Sequence, residues 1–242
     1  MSINMKSIFK VFIIICIVTV IIIGKNILNQ PKPKIPDSAK IRVVASFYPL
    51  YFFAEQIGGG KADVVNITPF GAEPHDYEPT SMDMSKIENS EILIINGHFE
   101  PWIDKIKNNL EGKNITIVTA GEGLFNQETP DPHVWLSPKL ARKEVEAILT
   151  AYLKTDSSNR DYYQKNADKL LLSLDDLDKK YQLRLNSCRK KNIITSHASF
   201  YYLAKEYGLS QTAIAGLSPD SEPSPKQLAE LADFAKKNNI DY

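Results

Sequence analysis

The sequence predicts an α/β protein of two lobes, each built on a mostly parallel sheet with flanking helices, joined by one long backbone helix, with the second lobe incomplete. Three observations predict it. Short β-branched runs alternate with helix-like stretches through the body, which is the pattern of parallel strands with crossover helices. One helical pattern, from Ser157 or Ser158 to about Asn186, would span about 42 Å at 1.5 Å per residue, a length that suits a strut between lobes. A second, shorter alternating unit follows the strut and stops at Asn239-Ile240-Asp241-Tyr242, which reads as the start of a strand with nothing after it. A C-terminal truncation is therefore expected.

Residues 11–23 are almost wholly apolar and lie between Lys10 and Lys25, the signature of a signal-peptide core or short membrane anchor. No cleavage signal of small residues follows closely, and Cys16 has Ile15 before it where a lipoprotein cysteine wants a small residue. An uncleaved anchor is the preferred reading. Residues 30–36, QPKPKIP, form an extended Pro/Lys spacer. The expected division is 1–25 membrane anchor or signal segment, 26–40 Pro/Lys linker, 41–156 N-terminal α/β metal-binding lobe, 157–187 connecting helix and 188–242 partial C-terminal α/β lobe.

Strands are expected at 41–46, 62–68, 91–96 and 114–119 in the first lobe, and at 192–195 and 211–215 in the second. The intervening helices are expected at 48–57, 81–89, 101–110, 138–154, 199–207 and 225–237. Gly58-Gly59-Gly60 closes the first of these, Gly208 ends the fifth, and Pro138 and Pro225 open two others. In the long helix, Tyr162, Leu170, Leu174, Leu177, Tyr181 and Leu185 recur at three- and four-residue steps.

Composition bounds the function. The net charge is zero, but six of 29 basic residues and one of 29 acidic residues fall in 1–40, so the body holds 23 basic against 28 acidic residues. A mildly acidic body argues against a nucleic-acid partner. The two cysteines, Cys16 and Cys188, permit no disulfide within the body.

The chain has four histidines, His75, His98, His133 and His197. Three of them, His75, His133 and His197, follow a β-like run and precede a helix-like one, and His75 and His133 thereby fall at the sheet end where α/β proteins bind ligands. His133 stands between Pro132 and Pro138 beside Asp131, on a loop stiffened by fixed proline φ angles. Histidines on separate rigid loops can converge on a tetrahedral zinc ion. Equally, a buried histidine can be a hydrogen-bonded core residue, and spacing alone leaves both readings open.

Five segments then carry a resemblance. They are Gly71-Ala72-Glu73-Pro74-His75-Asp76-Tyr77-Glu78-Pro79-Thr80; Asn96-Gly97 with Glu100-Pro101-Trp102; Asp131-Pro132-His133-Val134-Trp135-Leu136-Ser137-Pro138; Ser196-His197-Ala198-Ser199-Phe200; and Ser218-Pro219-Asp220-Ser221-Glu222-Pro223-Ser224-Pro225. In this order they resemble the zinc/manganese solute-binding proteins of bacterial ABC importers, from about residue 41 to the end. The resemblance implies metal held in the cleft between two α/β lobes. It places ligands at His75 and His133 in the first lobe and His197 in the second. Histidine at that third position resembles the zinc branch rather than the manganese branch, in keeping with the preference of imidazole donors for zinc. The family's fourth ligand, an Asp or Glu further along the second lobe, is expected beyond the end of this chain. The histidine-rich loop of some zinc-branch relatives is absent between Thr119 and Asp131.

Other residues carry two readings each. His98 is either an accessory ligand or a rim residue. Glu73, Asp76, Glu78 and Asp131 either orient imidazoles or serve as solvated and capping acids. Trp102 and Trp135 read as core. The function expected is an extracytoplasmic, high-affinity zinc-binding receptor, anchored at the cell membrane by its N-terminal segment (periplasmic or secreted if cleaved), that delivers zinc to an ABC-type permease. It is expected to be a monomer and not an enzyme, with no catalytic residues. The alternatives are a manganese-binding importer receptor or an adhesin-like surface protein and, last, a zinc hydrolase.

Overall fold

A computed structural model describes residues 40–125, 131–219 and 223–240. The expectations for residues 1–25 and for 26–39 of the linker lie outside them, as do those for Asp241 and Tyr242. Among the described residues no helix is long and apolar enough to cross a membrane.

Four parallel strands, β1 (Ile41–Ala45), β2 (Ala62–Asn66), β3 (Ile92–Ile95) and β4 (Thr116–Thr119), pair in the order β2-β1-β3-β4. Alternation along the central strands sends Val43, Ala45, Ile92 and Ile94 to one face and Val44, Leu93 and Ile95 to the other. The first face is covered by α1 (Tyr48–Gly58), α4 (Pro138–Thr155) and the first half of α5 (Arg160–Asn186). The second is covered by α2 (Ser81–Glu88) and α3 (Ile103–Leu110). Burial on both faces explains why β3 is the uninterrupted apolar run ILII. Gly59, at φ +48°, ends α1, a conformation that favours glycine.

The long helix is 27 residues, about 40 Å. Two details differ from expectation. Asp156, not Ser157 or Ser158, gathers the hydrogen bonds at its start, accepting from Ser158 Oγ at 2.5 Å, Asn159 Nδ2 at 2.7 Å and the Tyr163 hydroxyl at 2.6 Å. A 3-10 turn, Ser157–Asn159, therefore precedes the helix. The apolar stripe is also set one residue over at its start: Tyr163 is buried, whereas Tyr162 is half-exposed and its hydroxyl accepts from Gly60 N at 3.1 Å. Tyr163, Ala167 and Leu170 are the buried residues of α5, all in its N-terminal half, while Leu177 and Leu183 are exposed.

After α5 come β5 (Asn192–Thr195), α6 (Tyr201–Tyr207), β6 (Ser210–Ala213) and α7 (Pro225–Lys237), with β5 and β6 parallel. Gly208 takes the left-handed conformation that caps α6. Ser224 and Gln227 form a reciprocal capping box that starts α7 at Pro225. The strands are shorter than expected at several ends. β2 stops at Asn66 rather than Thr68, and β6 at Ala213 rather than Ala215. Beyond these ends the backbone still bonds to the neighbouring strand's chain, from Ile67 N to Ala45 O at 3.0 Å and Thr68 N to Ser46 O at 3.3 Å, and from Ile214 N to Thr195 O at 2.9 Å and Ala215 N to Ser196 O at 2.8 Å.

Candidate metal centre

The loop after β4 fixes one imidazole firmly. Asp131 is buried, and its Oδ1 accepts from the His133 backbone N at 2.8 Å and pairs with His133 Nδ1 at 2.7 Å. Nδ1 is thereby engaged, and His133 Nε2 is left to face outward from the loop. His133 itself is 2% exposed. Asn96 Nδ2, from the end of β3, holds the loop by donating to Pro132 O at 3.2 Å. Val134–Leu136 then makes one 3-10 turn, and Pro138 opens α4.

His75 reaches the same point from the loop after β2. Its Nε2 lies 3.2 Å from His133 Nε2, and its backbone N donates to Glu73 Oε1 at 3.2 Å. Phe99 packs against the His75 ring at 4.3 Å between centroids, and Phe47, Phe99 and Trp135 form an aromatic base beneath the site. His197 approaches from the loop after β5, with ring centroids 5.2 Å from His133 and 6.1 Å from His75. One ligand nitrogen from each of the three lies within 4.8 Å of the others. Tetrahedral zinc with Zn–N bonds of about 2.0–2.1 Å separates its nitrogens by about 3.3 Å. The His75–His133 pair, at 3.2 Å, already meets that spacing, and the His197 nitrogen lies within 4.8 Å of both. Burial, and then the neighbouring His133, push the His197 pKa down, which favours the neutral imidazole that ligates metals.

Beneath the loops lies a carboxyl group to which sequence reasoning assigned no role. Glu100 sits where the strand order reverses, between the ends of β1 and β3. Its Oε1 accepts from Ser46 Oγ at 2.5 Å and Asn96 N at 2.7 Å, and its Oε2 accepts from Gly97 N at 2.9 Å. Burial raises its pKa, and those hydrogen bonds oppose the rise. Gly97 is at φ +120°, and a Cβ there would come 2.5 Å from Thr119 Cγ2, so the turn that delivers its N–H requires glycine. Glu144, on α4, is fully buried, and neither of its oxygens has a hydrogen-bond partner among the described residues. Burial, and then proximity to Glu100, raise its pKa well above the ordinary value. A signal for Glu144 did exist: it occupies an apolar position of the helical stripe shared with Ala141, Val145 and Ile148.

The structure brings together His75, His133 and His197. His98 stays apart: it is exposed, stacks edge-on against Phe125 at 4.5 Å, and lines with His75, Asp76 and Ser218 a cavity of about 400 Å³. Of the four acids, Asp131 orients an imidazole and Glu73 braces the His75 backbone. Asp76 is exposed at the rim of that cavity. Glu78 faces away in an exposed ion pair with Lys105 at 2.7 Å. Trp102 is core, whereas Trp135 is half-buried and touches His133 at 5.2 Å between centroids.

A family described as "ZnuA: Zinc-uptake complex component A periplasmic" matches residues 43–242. The High-affinity zinc uptake system protein ZnuA of Bacillus subtilis is 40% identical over 220 residues, which are 83% of this chain and 69% of that protein. The Zn(II)-bound ZnuA-like domain of Streptococcus pneumoniae AdcA superposes with a TM-score of 0.76 at 38% identity, covering 84% of this chain and 77% of the domain. Of the full-length zinc-binding lipoprotein AdcA the matched region spans 44%. The laminin binding protein Lmb of Streptococcus agalactiae, described as bifunctional with adhesin and metal transporting activity, superposes with a TM-score of 0.77 at 32% identity, covering 83% of this chain and 77% of that one. With the fold, the histidine face and these matches in agreement, the chain belongs to the ZnuA family of zinc-uptake components.

Proposed function

We propose that this protein is an extracytoplasmic, high-affinity zinc receptor that captures the ion with His75, His133 and His197 and hands it to the permease of an ABC-type importer. The observation that supports this reading is the convergence of three imidazole nitrogens within 4.8 Å, one of them held by a buried aspartate. Three imidazoles leave one position of a tetrahedral ion for a water or a carboxylate. The all-nitrogen set favours zinc over manganese, which prefers oxygen donors. Receptor function requires no chemical step on the ion. The reading extends to the organisation of the chain: residues 1–25 anchor it, 26–40 space it from the membrane, 41–156 and 188–242 supply the two sides of the cleft, and 157–187 connect them, in a monomer.

The test is metal analysis of the purified chain, followed by competition between zinc and manganese. One equivalent of zinc that survives a large excess of manganese, and is lost on His133→Ala, is the expected result. Preference for manganese would refute the zinc assignment. Zinc-dependent turnover of esters or peptides that disappears in the same variant would replace the receptor with a hydrolase.

The likeness to Lmb favours a second role, as a surface adhesin. Binding of the purified chain to immobilised laminin, unchanged by zinc-site substitutions, would establish it alongside zinc capture.

A further inference from the structure

We propose that the Tyr202 hydroxyl is a positioning group of the metal centre, a latch that ties the segment carrying His197 to the segment carrying His133. Tyr202 lies in the first turn of α6, five residues after His197, and is buried. Its hydroxyl donates to Asp131 O at 2.9 Å. Asp131 is the residue whose Oδ1 engages both His133 N and His133 Nδ1. A single hydrogen bond therefore joins the His133 support to the opposite side of the site.

The other end of the latch is equally well defined. The His197 carbonyl accepts from Thr195 Oγ1 at 2.8 Å, Gln211 Nε2 at 3.2 Å and Ser199 N at 3.0 Å, and Ala198 N donates to Gly216 O at 2.8 Å. His197 is thus fixed relative to β5 and β6, and α6 follows directly. Because both histidines are braced to their own segments, the distance between the segments decides whether three nitrogens meet one ion, and Tyr202 spans that gap. A second tie to α6 lies at the surface, from Lys139 on α4 to Glu206. It is half-exposed, touches neither histidine segment, and belongs to a class of ion pair that contributes little.

This inference rests on the reading of the three histidines as zinc ligands, and its test separates the two. Tyr202→Phe keeps the ring and its packing and removes only the donor. In stopped-flow release into a chelator, the full-length variant is expected to lose zinc about tenfold faster than wild type, the factor that one net hydrogen bond is worth, with little change in the rate of capture. Glu206→Gln is expected to release zinc at the wild-type rate. Equal acceleration by both variants would mean that general docking of α6 is responsible, and would overturn the latch. In the metal-free chain, amide hydrogen exchange is expected to quicken in 131–137 in Tyr202→Phe and not in Glu206→Gln. Wild-type exchange in Tyr202→Phe overturns the latch whether or not zinc binds, while failure of the wild-type chain to hold zinc sinks only the ligand assignment.

Discussion

The four-stranded and two-stranded halves of the molecule bring histidines to one point by different means. In the first half, β3 is buried along its whole length and β1 over three of five residues, with helices on both faces. His133 is 2% exposed and pinned at both backbone and side chain. In the second half, no residue of β5 or β6 is buried, none of α7 is buried, and His197 is only half-buried. The difference teaches a division of labour. The thicker half prearranges two nitrogens at coordination spacing, and the lighter half supplies the third from a support that can adjust at lower cost.

The contrast can be broken most sharply at the proposed ligands. His133→Ala is expected to lower zinc affinity by at least ~100-fold, since losing an orienting partner alone costs 10–100-fold. It should also destabilise the metal-free fold, because buried Asp131 loses its partner. His197→Ala should lower affinity while leaving the thermal midpoint of the metal-free protein almost unchanged. Calorimetric titration and melting of both variants check this, and an equal drop in midpoint would erase the distinction between the halves.

The cores give the next largest effect. Ile94→Ala, at a site with no exposure, should cost about 2–5 kcal/mol in urea unfolding. Ile194→Ala, at the half-buried β5 position, should cost under about 2 kcal/mol, because less apolar area leaves water there. Reversed magnitudes would show that the two-stranded half is the better packed one.

Asp131→Asn keeps shape and removes the charge behind His133. The expected loss of zinc affinity is about 10–100-fold, and a smaller loss would mean that the loop prolines alone hold the ring. The mildest effect belongs to Glu144. Burial raises its pKa in the fold, so the folded state holds the proton more tightly than the unfolded state. Its contribution to stability is greatest below the unfolded carboxyl pKa, about 4.3, and declines as pH climbs from there toward the raised folded value. Glu144→Gln should remove that decline, so its stability relative to wild type should improve with rising pH in urea titrations; a difference independent of pH would contradict the buried, protonated acid.

Much of this architecture could be read from local chemistry. Pro138, Gly208, and Ser224 with Pro225 mark helix ends that depend on one or two residues, and each stands where its backbone preference requires. The shared position of His75, His133 and His197 after strands left a metal site and core histidines both open, and the five family-like segments favoured the first. Tertiary choices were harder to read. Tyr162 and Tyr163 are adjacent and both aromatic, and only packing against α4 selects Tyr163, whose ring lies 4.9 Å from that of Tyr152. Glu100 stands in a family-like segment and Glu144 on the apolar stripe of its helix, but neither position states a role. Their burial depends on the strand ends and helix faces that enclose them, which are distant along the chain.

Glu100 has a consequence for what the site admits. In doubly wound sheets the crevice where strand order reverses offers free backbone N–H groups, and small oxyanions commonly settle there. Here Asn96 N and Gly97 N, with the Ser46 hydroxyl, are already engaged by a side chain of the same protein. An anion reaching the crevice finds those donors taken by the Glu100 carboxylate. The molecule thus carries its own anion in the crevice, and the donors that would hold a free oxyanion beside the histidines are spent on Glu100.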